Sequence, residues 1–216
     1  MKKLTTVMIL CALALLTAGC ASTSPSPQLF TLSPIAKPVE EQTILTITVG
    51  PVSVPEAVDR PQLVLSVAPN QVAVDEFNRW ASPLKSDIAR VVAENLSIIL
   101  GSPYVSIFPQ SVSLSPSYRV TIDVMRFESV PGETAKLTAI WSVRSTADGQ
   151  SQGGRTALSE TVKDKTYPAL MAAHSRMLAA LSGDIAAAIR TLAAAGRKGT
   201  PRLLNRQRQG EKGGTS

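Results

Sequence analysis

Reactive side chains are few in this chain, and their spacing limits the chemistry open to it. His174 is the single histidine, and Cys11 and Cys20 are the only cysteines among 216 residues. A nucleophile-base pair or a zinc site needs at least two such groups brought together. His174 falls in a stripe with Met171, Leu178, Leu181, Ile185, Ile189 and Leu192 at helical spacing, so it reads as a packed residue rather than a base or ligand. Gly149-Gln150-Ser151-Gln152-Gly153 matches the G-x-S-x-G string of serine hydrolases, which requires a strand before the serine and a helix after it. Here the string sits in a polar loop that leads into an expected strand, and the match reads as accidental. The glycines form no phosphate-cradling motif, and the sequon Asn95-Leu96-Ser97 lies inside an expected helix. These residues point away from an enzyme, and neither a cofactor nor a metal is expected.

Cys20 has a different context. Lys2-Lys3 precede the ten-residue apolar run Val7 to Leu16, too short to cross a membrane and suited to the core of a signal peptide. The run ends in Thr17-Ala18-Gly19-Cys20, which is similar to the lipobox of bacterial lipoproteins, with Thr17 where leucine is commoner. Residues 1–19 are therefore expected to be a signal peptide, with Cys20 the lipidated first residue of the mature chain. Cys11 is lost with that peptide, so no intrachain disulfide can form in spite of export. Several acyl chains on Cys20 would anchor the protein stably to a membrane, where one chain binds only marginally. Residue 21 is alanine, and similarity to lipoprotein sorting in Gram-negative bacteria implies the periplasmic face of the outer membrane.

Charge excludes a nucleic-acid partner. The net charge is +6, but residues 4–196 hold 14 bases against 15 acids, and the last twenty residues hold six bases against Glu211 alone. A near-neutral body has no basic face to track a phosphate backbone. The chain thus divides into the signal peptide, a lipidated Ser/Pro-rich tether over 20–38, a domain over 39–196, and a basic tail over 197–216 expected to be disordered. Within the tether, Leu29-Phe30-Thr31-Leu32 reads either as a short edge strand or as plain linker.

The elements that must position these residues follow from periodicity. Strands are expected at Ile44–Val49, Gln62–Val67, Tyr104–Phe108, Tyr118–Phe127, Ala135–Arg144 and Arg155–Val162, with a short one at Gln71–Asp75. A hairpin is expected at Gly132-Glu133. Pro83–Leu100 is a helix with Ser82 placed to cap and Gly101 to stop it, and Pro168–Ala195 is an alanine-rich helix. The fold class is α+β: a mostly antiparallel sheet of six or seven strands with both amphipathic helices on one face.

Non-reactive residues recur with more order. Val49-Gly50-Pro51-Val52 leads to Val54-Pro55 and Asp59-Arg60-Pro61-Gln62-Leu63-Val64; then come Asn78-Arg79-Trp80-Ala81-Ser82-Pro83-Leu84, Arg126-Phe127-Glu128 and Ala139-Ile140-Trp141. In order and spacing this resembles the ABC-type transport auxiliary lipoproteins (PqiC-like) over roughly residues 28–195, with departures at Ala57 and Ser82. The resemblance implies a partner: members accompany MCE-domain proteins and ABC-type machinery that move lipids across the Gram-negative envelope. They act at its outer-membrane end, with a ring-shaped homo-oligomer among the arrangements open to them.

Physical reading of the same residues adds contact candidates. Pro51, Pro55 and Pro61 stiffen the loop between two strands, which lowers the entropy lost on binding. Asp59 is placed to pair with Arg60 or Arg79. Trp80 is either an interface anchor or a staple that packs the start of the helix, and Trp141 reads as core. Pro55, Asp59, Arg60, Arg79 and Trp80 are the partner-binding candidates. Two functions stand: an auxiliary docking lipoprotein of an MCE-type ABC lipid-transport system, or an envelope lipoprotein that regulates or assembles cell-wall synthesis or a secretion channel.

Overall fold

The computed structural model describes residues 26–40, 42–109 and 115–199. Cys20 with its lipobox, and the tail from residue 200, lie outside them. The backbone runs β1 (Gln28–Phe30), β2 (Ile47–Ser53), β3 (Gln62–Ala68), β4 (Gln71–Trp80), α1 (Leu84–Leu100), β5 (Val105–Ile107), β6 (Tyr118–Val130), β7 (Thr134–Ser145), β8 (Ser151–Thr161) and α2 (Tyr167–Gly199).

Strong alternation builds the larger sheet, whose order is β5-β2-β6-β7-β8. Val120, Ile122 and Val124 of β6 and Leu137, Ala139 and Val143 of β7 point inward and are buried. A one-residue slip between Val124 and Arg126 places Met125 and Arg126 both outside, and this change of phase returns Phe127 to the core. The apolar stripes of α1 and α2 lie against this sheet and each other, so both helices share one core with it. α2 is long and apolar enough to cross a membrane, but half of that stretch is buried within the fold.

The expected single, mostly antiparallel sheet of six or seven strands is corrected here. Among the described residues, eight strands form two mixed sheets, the second ordered β1-β4-β3. β2 runs parallel to both β5 and β6, and β1 runs parallel to β4. Such pairs join segments far apart in the chain, where no turn signal marks the pairing.

Local boundaries shift for physical reasons. β4 extends to Trp80 rather than stopping at Asp75, because the Trp80 amide donates to the Pro61 carbonyl (2.7 Å) and the Ala81 amide to that of Phe30 (2.8 Å). Ser82 does not cap α1: Pro83 occupies that position without a side-chain cap, while Gly101 ends the helix in the left-handed conformation as expected. β8 begins at Ser151, inside the expected loop, and α2 continues through residues 196–199.

The edge-strand alternative holds for the first described segment, and part of the expected tether packs on the body. Leu32 is 1% exposed. Its amide donates to the buried Asp87 carboxylate (2.7 Å), that of Ser33 to the Ser175 hydroxyl (3.0 Å), and those of Ile35 and Ala36 to Asn95 Oδ1 (3.1 and 3.0 Å). Polar side chains projecting from the helices thus satisfy a strap that has no strand partner beyond Phe30.

Candidate functional site

Upstream of the loop between β2 and β3, strand β2 holds a position only glycine suits. Gly50 has φ 117°, and a Cβ there would lie 3.3 Å from the Cβ of Phe108. Beyond it, the amides of Val58 and Asp59 turn back on the Pro55 carbonyl (3.0 and 3.1 Å), while Val54 and Val58 pack on the core. Pro55 is half-buried, and Asp59 and Arg60 are exposed. Asp59 pairs with neither arginine expected; its carboxylate meets Lys85 Nζ at 3.1 Å, which ties the loop to the first turn of α1. Arg79 instead folds back on Glu76, donating from Nε to its carbonyl (2.8 Å) and facing its carboxylate at 3.6 Å. Gln62, which lies beside Arg79 in register, also donates to Glu76 (3.2 Å).

Trp80 is the staple. It is 7% exposed, and its ring stands edge-on to Phe127 with centroids 6.1 Å apart, so it offers no face to a partner. A crevice of about 10 Å³, enough for one water, remains among Val58, Leu63, Trp80, Leu84 and Phe127. The structure thus brings Pro55, Asp59, Arg60 and Arg79 to one end of the small sheet and takes Trp80 beneath them. The departures at Ala57 and Ser82 are both exposed.

His174 is buried and stacks on Phe127 at 3.9 Å, with Nε2 in hydrogen bond with the Ser129 hydroxyl (2.8 Å) and Nδ1 without a partner. Burial pulls its pKa down to about 3, so the ring stays neutral. Ser151 is exposed at the start of a strand, opposite Arg144, with no helix following it. Among the described residues, no three His, Cys, Asp or Glu side chains converge to hold a metal. A groove of about 450 Å³ between β1 and α2 is lined mainly by Leu29, Phe30, Ile35, Pro168 and Met171, with Arg176 at its rim engaged by Glu160 at 2.7 Å.

Several polar residues with structural work escaped the sequence reading. Asp87, 2% exposed, takes Arg90 at 2.6 Å as well as the strap. Desolvation works against the Arg90 charge but is outweighed by Asp87 and Glu94, so its pKa lies above the ordinary value. Trp141 Nε1 donates to Thr156 (3.0 Å), whose hydroxyl donates to Asp184 (2.6 Å). Tyr167 donates to Asp75. Desolvation raises the Asp75 pKa, but that bond, the Asn78 side chain and two backbone amides outweigh it and hold it below the usual value. The one available signal was a polar residue interrupting an apolar stripe, as Asp87 does between Leu84 and Ile88.

Fold and site together define an α+β domain whose conspicuous side chains are fixed at its surface or locked in its core, rather than gathered around a pocket. The chain belongs to the ABC-type transport auxiliary lipoprotein component family, whose model matches residues 29–186. Two crystal structures share the fold. A Xanthomonas campestris protein of the DUF330 family is 16% identical with TM-score 0.63, over 80% of this chain and 100% of its own. An uncharacterized protein is 18% identical with TM-score 0.61, over 76% of this chain and 99% of its own. No curated protein matches the chain.

Proposed function

We propose that this auxiliary transport lipoprotein is a non-enzymatic docking component, held by acylated Cys20 at the periplasmic face of the outer membrane, that engages an MCE-domain protein of an ABC-type lipid-transport system. The observation that carries the reading is the fixed geometry around the family's own motif residues. The Pro55–Asp59 turn is tied to Lys85, and Arg79 is held beside it, so an exposed surface is presented with little entropy left to lose. Lipidation rests on the lipobox, the outer-membrane address on Ala21, and the absence of catalysis on a neutral, buried and solitary histidine. Assembly of several copies into a ring belongs to the same reading, since among the described residues β1, β3, β5 and β8 are edge strands.

The test is co-purification with an MCE-domain protein of the same organism. Arg60→Ala and Arg79→Ala should each weaken the complex by about 1 kcal/mol or more, roughly fivefold, with melting temperatures nearly unchanged. Undiminished binding by both variants would remove this surface, and no binding by the wild type would remove the partner.

A further inference from the structure

The hairpin of β3 and β4 exposes more apolar surface than its own packing explains. From Gln62 to Val74, thirteen consecutive residues (QLVLSVAPNQVAV) carry no charge. Val67 and Val72 are 54% and 57% exposed, and Val74 and Phe77 are exposed as well. Leu65 pairs with Ala73 and packs toward the core, while Val64 pairs with Val74. Because side chains alternate along a strand, Val72 and Val74 occupy the face opposite Leu65. Val67 lies on Leu65's phase at the irregularity between Ser66 and Ala68, so apolar side chains are exposed on both faces of the tip, and exposed apolar surface of this kind marks a contact surface.

Strand direction says which contact. β1 lies parallel to β4 with Gln28 beside Asn78, so the chain enters β1 from the side of the hairpin tip. Seven residues lie between Cys20 and Gln28, and the eight Cα–Cα steps reach about 28 Å at most when extended. The strand from Asn78 back to Gln71 carries the tip about 23 Å in that same direction. A membrane holding a lipid on Cys20 therefore lies within reach of Val67 and Val72.

We propose that the tip of this hairpin, around Val67 and Val72, seats in the headgroup-acyl boundary of the bilayer that holds the Cys20 anchor. The proposal rests on the lipid-anchored reading above. β3 has seven residues and an open edge, whereas a spanning strand needs about nine to eleven and leaves no backbone group unpaired. The hairpin thus lies in the interface rather than crossing it. With no charge between Gln62 and Val74, the contact is apolar and needs no anionic lipid.

The acylated full chain, whose Cys20 sulfur is blocked, takes an environment-sensitive thiol dye at Val72→Cys, with Gln150→Cys in the turn at the opposite end of β7 as the reference. On phosphatidylcholine vesicles the Val72 dye should shift to the blue and be quenched about twofold or more by brominated acyl chains, unaffected by about 0.5 M NaCl, while the Gln150 dye does neither. Flotation with the vesicles reports anchoring separately. A chain that floats with an unquenched Val72 dye overturns the hairpin contact and leaves the anchor standing; a chain that does not float overturns the anchor and the proposal with it. A blue shift that grows with protein concentration and ignores brominated lipid assigns the patch to a second copy and overturns the proposal. Quenching that requires anionic lipid and vanishes in salt assigns the contact to the basic tail, with the same consequence.

Discussion

His174 shows how one residue can be conspicuous in sequence and inert in chemistry. Held neutral between Phe127 and Ser129, it contributes through packing and one hydrogen bond. Its folded pKa, about 3, lies below the value near 6.5 of an unfolded chain, so the unfolded state binds the extra proton over that interval. Stability should therefore fall as pH drops below 6.5, with a slope approaching about 1.4 kcal/mol per pH unit. There is no second histidine, and unperturbed carboxyl groups titrate near 4, so denaturant melts between pH 6.5 and about 5.5 isolate this group. His174→Gln should flatten the profile there, and an equal slope in the variant would refute the assignment. Gly154 is a second residue explained only in three dimensions. A Cβ there would come within 2.4 Å of the Trp141 ring, so the strand needs glycine opposite that indole.

At the scale of elements, the strap is the part least expected from composition. Residues 31–36 have no ladder partner, and the amides of Leu32, Ser33, Ile35 and Ala36 depend on Asp87, Ser175 and Asn95. Asp87→Ala should cost about 2 to 4 kcal/mol, because it leaves the Leu32 amide unsatisfied and removes the partner of Arg90. Hydrogen exchange at Leu32 should rise in that variant well beyond its rise in the rest of the fold. Uniform acceleration across all strands would mean the strap has no separate stability. Sequence periodicity found α1, α2 and the β6–β7 hairpin, because each is long and buries one clear face. It missed the partition into two sheets, since the β1–β4 and β2–β6 pairings join distant segments without a turn between them. The end of β4 was hidden as well: Asn78-Arg79-Trp80 belongs to a bulged stretch where Gln62 meets Arg79 but Leu63 meets Asp75, and alternation fails across it. The loop at Pro55–Asp59 was legible as a rigid turn from its prolines; its ion pair with Lys85 was not, because either arginine lay nearer in sequence.

At the scale of the whole molecule, the strap, hairpin and docking loop take their order from one anchor. The chain enters β1 from the side of the hairpin tip, whereas Arg60 and Arg79 lie by the hairpin base, so a membrane seated at the tip as proposed would place the candidate docking surface about a strand's length farther away. Among the described residues the first buried apolar one is Leu32, twelve positions after Cys20. Membrane attachment and folding are therefore expected to be separable. Cys20→Ala should lose the fatty-acid label and no longer fractionate with membranes, yet melt within a degree or two of the acylated chain in detergent, since the change removes none of the bonds that hold residues 28–36. Retained fatty acid in this variant would refute lipidation at Cys20. A large loss of melting temperature would show that the segment before Gln28 supports the fold directly, and that the strap's hold on Asp87 and Asn95 is not sufficient to close the core.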